Sequence, residues 1–301
     1  MNTSPTLKPL DMGELSALES LPLRARWLTD ATGVGRHRSR RKGASMEFAD
    51  YRDYQLGDDL RRVDWRLYGR TDRLHTRETY EETPLRVVLL LDVSASMAYG
   101  SRPGHLTKID FARSVLAAMA LLVRRQRDAC GVGLLADDLL QYLAPSTSLA
   151  RLRAVWGVLD MPVQGQNTAL AEAISRAANA SPRSCLFIVA SDFYEDPIAI
   201  EAVMRRLRFQ RHDVIAFHII DPVEEDFSFE DPAEFVDMET GEKLRLDPAA
   251  MAKEYRKEIA AHKSKLDDLF RTNGFDYLRL RTDEAPISAL TAYLSRRAGK
   301  G

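Results

Sequence analysis

Short apolar runs alternate along most of this chain with longer segments whose apolar positions recur every three or four residues. The runs are continuous: Val87-Val88-Leu89-Leu90-Leu91 and Leu186-Phe187-Ile188-Val189-Ala190 show no polar alternation. That pattern fits strands buried on both faces, as in the middle of a parallel sheet. The predicted strands are Arg86–Leu91, Gly131–Ala136, Leu139–Leu143, Cys185–Ala190, Asp213–Ile220 and Asp276–Arg281. Helical periodicity predicts helices at Lys108–Arg127, Ser148–Leu159, Ala169–Ala180, Pro197–Leu207, Pro248–Asn273 and Ala285–Arg297. Such alternation is the mark of an α/β fold, a doubly wound and mostly parallel sheet with helices on both faces. Asp137-Asp138, between two closely spaced strands, signals a tight turn that makes the third strand antiparallel.

The first 84 residues read differently and form an N-terminal helix and short-strand extension. Residues 1–10 are a polar tail, and Met12–Thr29 carries an approximate helical stripe. Met46–Tyr54 and Leu74–Glu82 alternate enough for short strands, flanking a Gly57-Asp58-Asp59 turn and a helical turn at Leu60–Leu67. This part is too small for a core of its own and is expected to pack on the main domain, residues 85–301. Asp58, Asp59, Arg61, Arg62, Asp64 and Trp65 read as a charged network tying the two together. Residues 221–247 form an acidic insertion, with a hairpin of Phe235–Met238 and Lys243–Leu246 around Glu239-Thr240-Gly241.

Composition narrows the function classes. Across 301 residues, 43 Lys and Arg against 44 Asp and Glu leave a net charge of −1, which gives no bulk attraction to nucleic acid or membrane. Six histidines lack zinc-site spacing, and His218, inside an apolar run, reads as a core residue. Cys130 and Cys185 each begin an apolar strand pattern and read as buried free thiols in a reducing compartment. No apolar leader occupies Met1–Leu21, and nowhere do about 18 apolar residues run together. The expected location is the cytoplasm.

The chemistry concentrates where the central apolar runs end. Val87–Leu91 stops at Asp92, followed by Ser94 and Ser96; the run ending at Ala190 is followed by Ser191-Asp192; and Gly165-Gln166-Asn167-Thr168 opens a helical pattern. In open α/β sheets ligands bind outside the carboxyl ends of the strands. The donors are hydroxyls and carboxylates, hard oxygens of the kind Mg²⁺ takes in an octahedron at about 2.0–2.1 Å. Helix periodicity resumes only near Lys108, so neither serine is placed to cap that helix. Thr147, in Ser146-Thr147-Ser148, competes with Thr168 as the third hydroxyl, and Asp192 has an alternative role as a helix cap before Pro197.

Asp92-Val93-Ser94-Ala95-Ser96-Met97, then Thr168, then Asp192, resembles the metal-ion-dependent adhesion site of von Willebrand factor A domains. That fold carries an antiparallel edge strand. Upstream, Gly35-Arg36-His37-Arg38-Ser39-Arg40-Arg41-Lys42-Gly43, Glu47-Phe48, Arg52, Tyr54, Gly57-Asp58-Asp59, Arg61-Arg62-Val63-Asp64-Trp65 and Glu81-Glu82 resemble the signature of the domain of unknown function 58 family. The resemblance covers roughly residues 30–220. It implies Mg²⁺, or Mn²⁺, held by Ser94, Ser96 and Thr168 with Asp92 and Asp192. It also implies a protein partner that offers an acidic residue, a MoxR-type AAA+ ATPase or that ATPase's client. This chain departs from the usual pattern in placing Gln166 and Asn167, not paired glycines, before Thr168.

Two other classes are weighed against this non-enzymatic adaptor. A metal-dependent phosphohydrolase of the phosphoaspartate kind also places an Asp after its first buried strand, but wants a second Asp two residues on, where this chain has Ser94. A nucleic-acid binder would use Arg36, Arg38, Arg40, Arg41 and Lys42, yet no aromatic residue interleaves that run. Neither a P-loop nor a Gly-x-Ser-x-Gly elbow is present.

Overall fold

The computed structural model describes residues 48–55, 63–79, 84–101, 105–162, 169–182, 184–228, 233–236, 243–246, 248–286 and 290. The expected helix at Met12–Thr29, the basic run Arg36–Lys42, the Gly57–Asp59 turn and most of Ala285–Arg297 lie outside these residues. Two compact units emerge, the smaller spanning His37–Pro84 and the larger containing Leu85–Gly301.

In the smaller unit, β1 (Phe48–Asp53) pairs antiparallel with β2 (His75–Thr79). Between them lies α1 (Trp65–Thr71), which starts later than the Leu60–Leu67 turn read from the sequence. Asp64 explains the shift: its Oδ1 accepts the Arg66 and Leu67 N–H groups at 2.9 and 3.1 Å, the bonding of a helix N-cap. Asp64 is therefore a cap in its own unit, and the neighbouring Trp65 is exposed, meeting the Tyr68 ring edge-on. Asp58, Asp59, Arg61 and Arg62 lie outside the described residues.

The larger unit is built on six strands: β3 (Arg86–Asp92), β4 (Ala129–Leu135), β5 (Leu139–Ser146), β6 (Leu186–Ser191), β7 (Asp213–Ile220) and β10 (Asp276–Arg281). Their order is β10-β7-β6-β3-β4-β5. Every pairing is parallel except β4 with β5, so the edge strand runs antiparallel as the Asp137-Asp138 turn predicts. The separate hairpin β8 (Ala233–Val236) and β9 (Lys243–Leu246) lies close to its expected position.

Helices α2 (Lys108–Arg125) and α3 (Leu149–Leu159) cover one face of the sheet. Helices α4 (Leu170–Ala180), α5 (Pro197–Phe209) and α7 (Pro248–Thr272) cover the other. A short α6 (Pro222–Asp226) follows β7. The alternation along β3 shows why no polar residue interrupts its run. Val87, Leu89 and Leu91 pack with Val115, Met119 and Val155, while Val88 and Leu90 pack with Ile174, Met204 and Phe270. Cys130 and Cys185 are buried and free. Among the described residues no helix is long and apolar enough to cross a membrane.

Chain direction decides where a site can form. From β3 the chain crosses to β4 on one side, whereas β6 and the strands after it lie on the other. The strand order thus reverses between β3 and β6, and the crevice at such a switch point opens at the strands' carboxyl ends.

Two consequences can be measured. Gly131 sits at the irregularity between β4 and β5, where an added Cβ would lie 2.5 Å from the Leu143 carbonyl oxygen and 2.8 Å from the Pro145 nitrogen. Gly131→Val is expected to destabilise the protein by about 1–3 kcal/mol in urea unfolding, because backbone atoms cannot step aside. His218 is buried, bonded to the Tyr277 hydroxyl, and meets the Phe193 ring edge-on. Burial lowers its pKa to about 3. The unfolded chain takes up a proton below about pH 6.5 that the folded chain refuses. His218's contribution is therefore full above that pH and is lost as pH falls toward 3. His218→Gln should lose less stability than wild type between pH 7 and pH 5 in the same urea assay.

Candidate metal site

The residues that end β3 and β6 meet at the switch point. Pairing of Leu91 with Ala190 puts Asp92 level with Ser191, whose hydroxyl donates to Asp92 Oδ2 at 2.6 Å. The other oxygen, Oδ1, accepts the Ser94 N–H at 2.9 Å, closing a local turn. Ser94 opens a 3₁₀ turn, Ala95–Ala98, and its hydroxyl makes no capping bond there but is hydrogen-bonded to the Ser96 hydroxyl. The Ser94 and Ser96 Oγ atoms lie 3.1 Å apart. Thr107, not either serine, caps α2, through the Asp110 N–H at 3.2 Å.

Asp92 is wholly buried and its pKa is pushed up to about 7, first by burial and then by the charge of Asp192, against the bonds from Ser191 and Ser94. Asp192 is also buried, and its Oδ2 lies 2.9 Å from the Lys108 ammonium. Lys108 in turn bonds Glu224 of α6, at 3.0 Å to Oε1. Glu224 is pushed up to about 7, again chiefly by burial, despite Lys108 beside it. Two inward carboxylates, Asp192 and Glu224, thus share one ammonium. Asp196, not Asp192, caps α5 through the Ile198 N–H, which removes the capping alternative for Asp192.

The donor set fits a divalent cation. Two hydroxyl oxygens 3.1 Å apart are close to the edge of an oxygen octahedron, about 2.9 Å for bonds of about 2.05 Å. Behind them stands the buried Asp92 carboxylate, which burial and the neighbouring Asp192 charge push toward its neutral form. Among the described residues no group of three or more His, Cys, Asp or Glu side chains is arranged to hold a metal, so a cation here would depend on hydroxyls.

The third hydroxyl is decided in part by topology. β5 is antiparallel and pairs Ser146 with Cys130, so Thr147 leaves the sheet beside the start of β4. That is the amino edge, roughly 20 Å from Asp92 at about 3.3 Å per residue. Thr147 is therefore removed as a ligand. Thr168 lies outside the described residues, but its neighbour Ala169 donates to the Ala136 carbonyl, just past the carboxyl end of β4. Glu195, in the loop after β6, accepts the Ala171 N–H at 2.9 Å and so ties the start of α4 to the Asp192 loop.

Ser191 reads in the sequence as one of the oxygen donors at the strand ends, and the structure turns its hydroxyl onto Asp92; Lys108 and Glu224 are not singled out there as members of this cluster. Lys108 carries a faint signal, since it lies on the stripe Ala112, Val115 and Met119 where a cation does not belong.

Comparison with known proteins places the chain. The family described as "Protein of unknown function DUF58" matches residues 50–265, and the chain belongs to it. An uncharacterized protein of Mycobacterium tuberculosis (strain ATCC 25618 / H37Rv) is 29% identical over 294 residues, covering 94% of this chain and 90% of its own. A Mycobacterium bovis protein, also uncharacterized, matches equally. Among solved structures, an aerotolerance-related membrane protein from Bacteroides fragilis is similar over 72% of this chain and 100% of its own, at 17% identity and a TM-score of 0.48. The VWA domain of SpRpn10 is similar over 69% and 94%, at 13% identity and a TM-score of 0.41.

Ser191→Ala tests the scaffold of the cluster. It removes the donor to Asp92 and the acceptor of the Phe193 N–H, both buried. Urea unfolding should show a loss of about 1–3 kcal/mol, the cost of leaving such groups unpartnered.

Proposed function

We propose that this DUF58 protein is a non-enzymatic, metal-dependent protein-binding adaptor that works with a MoxR-type AAA+ ATPase, or with that ATPase's client, in chaperone-like assembly or cofactor insertion. The observation that carries this reading is the pair of hydroxyls, Ser94 and Ser96, 3.1 Å apart at the switch point and backed by the buried Asp92.

Ser94 and Ser96 would hold Mg²⁺ or Mn²⁺, with Thr168 as the third hydroxyl and Asp92 and Asp192 supplying negative charge behind it. Bound between neutral hydroxyls, the ion supplies positive charge that the protein leaves partly unneutralised. An acidic side chain of the partner completes it. The residues around Asp92 favour binding over turnover. Both carboxylate oxygens are engaged, Oδ1 by the Ser94 N–H and Oδ2 by the Ser191 hydroxyl. A phosphate acceptor needs a free oxygen and a neighbouring titratable acid or base; the position two residues on is Ser94.

The test uses the purified protein and a purified, nucleotide-free MoxR-type ATPase from the same organism. Affinity should fall by about tenfold or more, about 1.4 kcal/mol, when Mg²⁺ is replaced by a chelator or when the protein carries Ser94→Ala/Ser96→Ala. Equal affinity under all these conditions would defeat the reading.

A further inference from the structure

Lys108 opens α2, yet its side chain has 0% exposure. A cation on the first turn of a helix stands against the helix dipole, and a buried one has lost its water. Only its partners can hold it there. Its Nζ lies 2.9 Å from Asp192 Oδ2, and 3.0 and 2.9 Å from the two oxygens of Glu224. The rings of Tyr99 and Tyr194 stand 5.8 and 5.1 Å away, within cation–π reach.

This cage has a consequence for the site beside it. Asp192 directly follows Ser191, which grips Asp92, and on the metal reading it serves the ion at Ser94 and Ser96, so the lysine and that ion compete for one carboxylate. We propose that Lys108 is a tethered cation that retains Asp192 for the protein interior and so sets the metal affinity low enough that a partner's carboxylate is needed to complete the site. The inference rests on the metal-binding reading above. Lys108 acts as a positioning residue: it touches Asp192 and Glu224, and the ion feels it through them. Asp192, a metal residue by resemblance, is in this view a conditional one. It serves the lysine first and becomes a ligand only when the lysine's charge is removed.

Isothermal titration of the full-length protein with MgCl₂ tests this as a double-mutant cycle of Lys108→Met and Asp192→Asn. Lys108→Met should bind Mg²⁺ about tenfold or more tighter than wild type. Asp192→Asn should cost about tenfold in the Lys108→Met background but less than about threefold when Lys108 is present. Additive effects, or a Lys108→Met protein that binds no tighter than wild type, would overturn the role of the lysine while leaving the metal site standing. Binding that survives Ser94→Ala/Ser96→Ala, or no binding by any variant, would instead remove the metal reading and this inference with it. Circular dichroism checks folding. If Lys108→Met does not fold alone, Lys108→Met/Glu224→Gln removes one charge of each sign, and it too should bind Mg²⁺ more tightly than wild type.

Discussion

A carboxylate with no exposure ends the central strand, and the arrangement around it follows from satisfying its two oxygens. Asp92 lies between two parallel neighbours, so it can neither turn to solvent nor move without disturbing β4 and β6. One oxygen takes the Ser94 N–H, which bends the chain at once and swings the Ser94 and Ser96 hydroxyls together. The other takes the Ser191 hydroxyl and fixes the end of the next strand. A buried charge of this kind is costly unless fully bonded, and here the bonds that satisfy it also build the candidate site.

Charge balance extends the same logic outward. Asp92, Asp192 and Glu224 all face inward, and Lys108 is the cation seen bonding two of them. Burial, with the neighbouring carboxylates adding to it, raises the pKa of both Asp92 and Glu224. The start of the acidic insertion, residues 221–226, takes part in the same pairing. Glu224 reaches Lys108, Glu225 pairs with Lys263 of α7 and with Arg281 of β10, and Asp221 accepts the Ser101 N–H. The short helix α6 is thereby fastened on two sides, to the site and to the last strand.

Much of this was legible in the residues alone. Unbroken apolar runs placed the sheet strands within two or three residues, since a strand buried on both faces has no room for polar side chains. The Asp137-Asp138 turn identified the antiparallel edge, and Asp92, Ser94, Ser96 and Asp192 were picked out because hard oxygens at strand ends are conspicuous. Helix starts were less legible where a cap decided them: α1 begins at Trp65 because Asp64 bonds the next N–H groups, a local choice that periodicity does not encode.

What chain order could not supply was adjacency. Thr147 and Thr168 look alike as hydroxyls in polar loops, and only the direction of β5 sends Thr147 to the far edge of the sheet. Asp192 read as a ligand or a cap, and only folding brought Lys108, 84 positions away, to within 2.9 Å of it. Apolar patterning is written in the local sequence because each residue's burial depends on its own chemistry. Which charges meet is a property of how the strands are ordered, and that is settled only when the sheet closes around them.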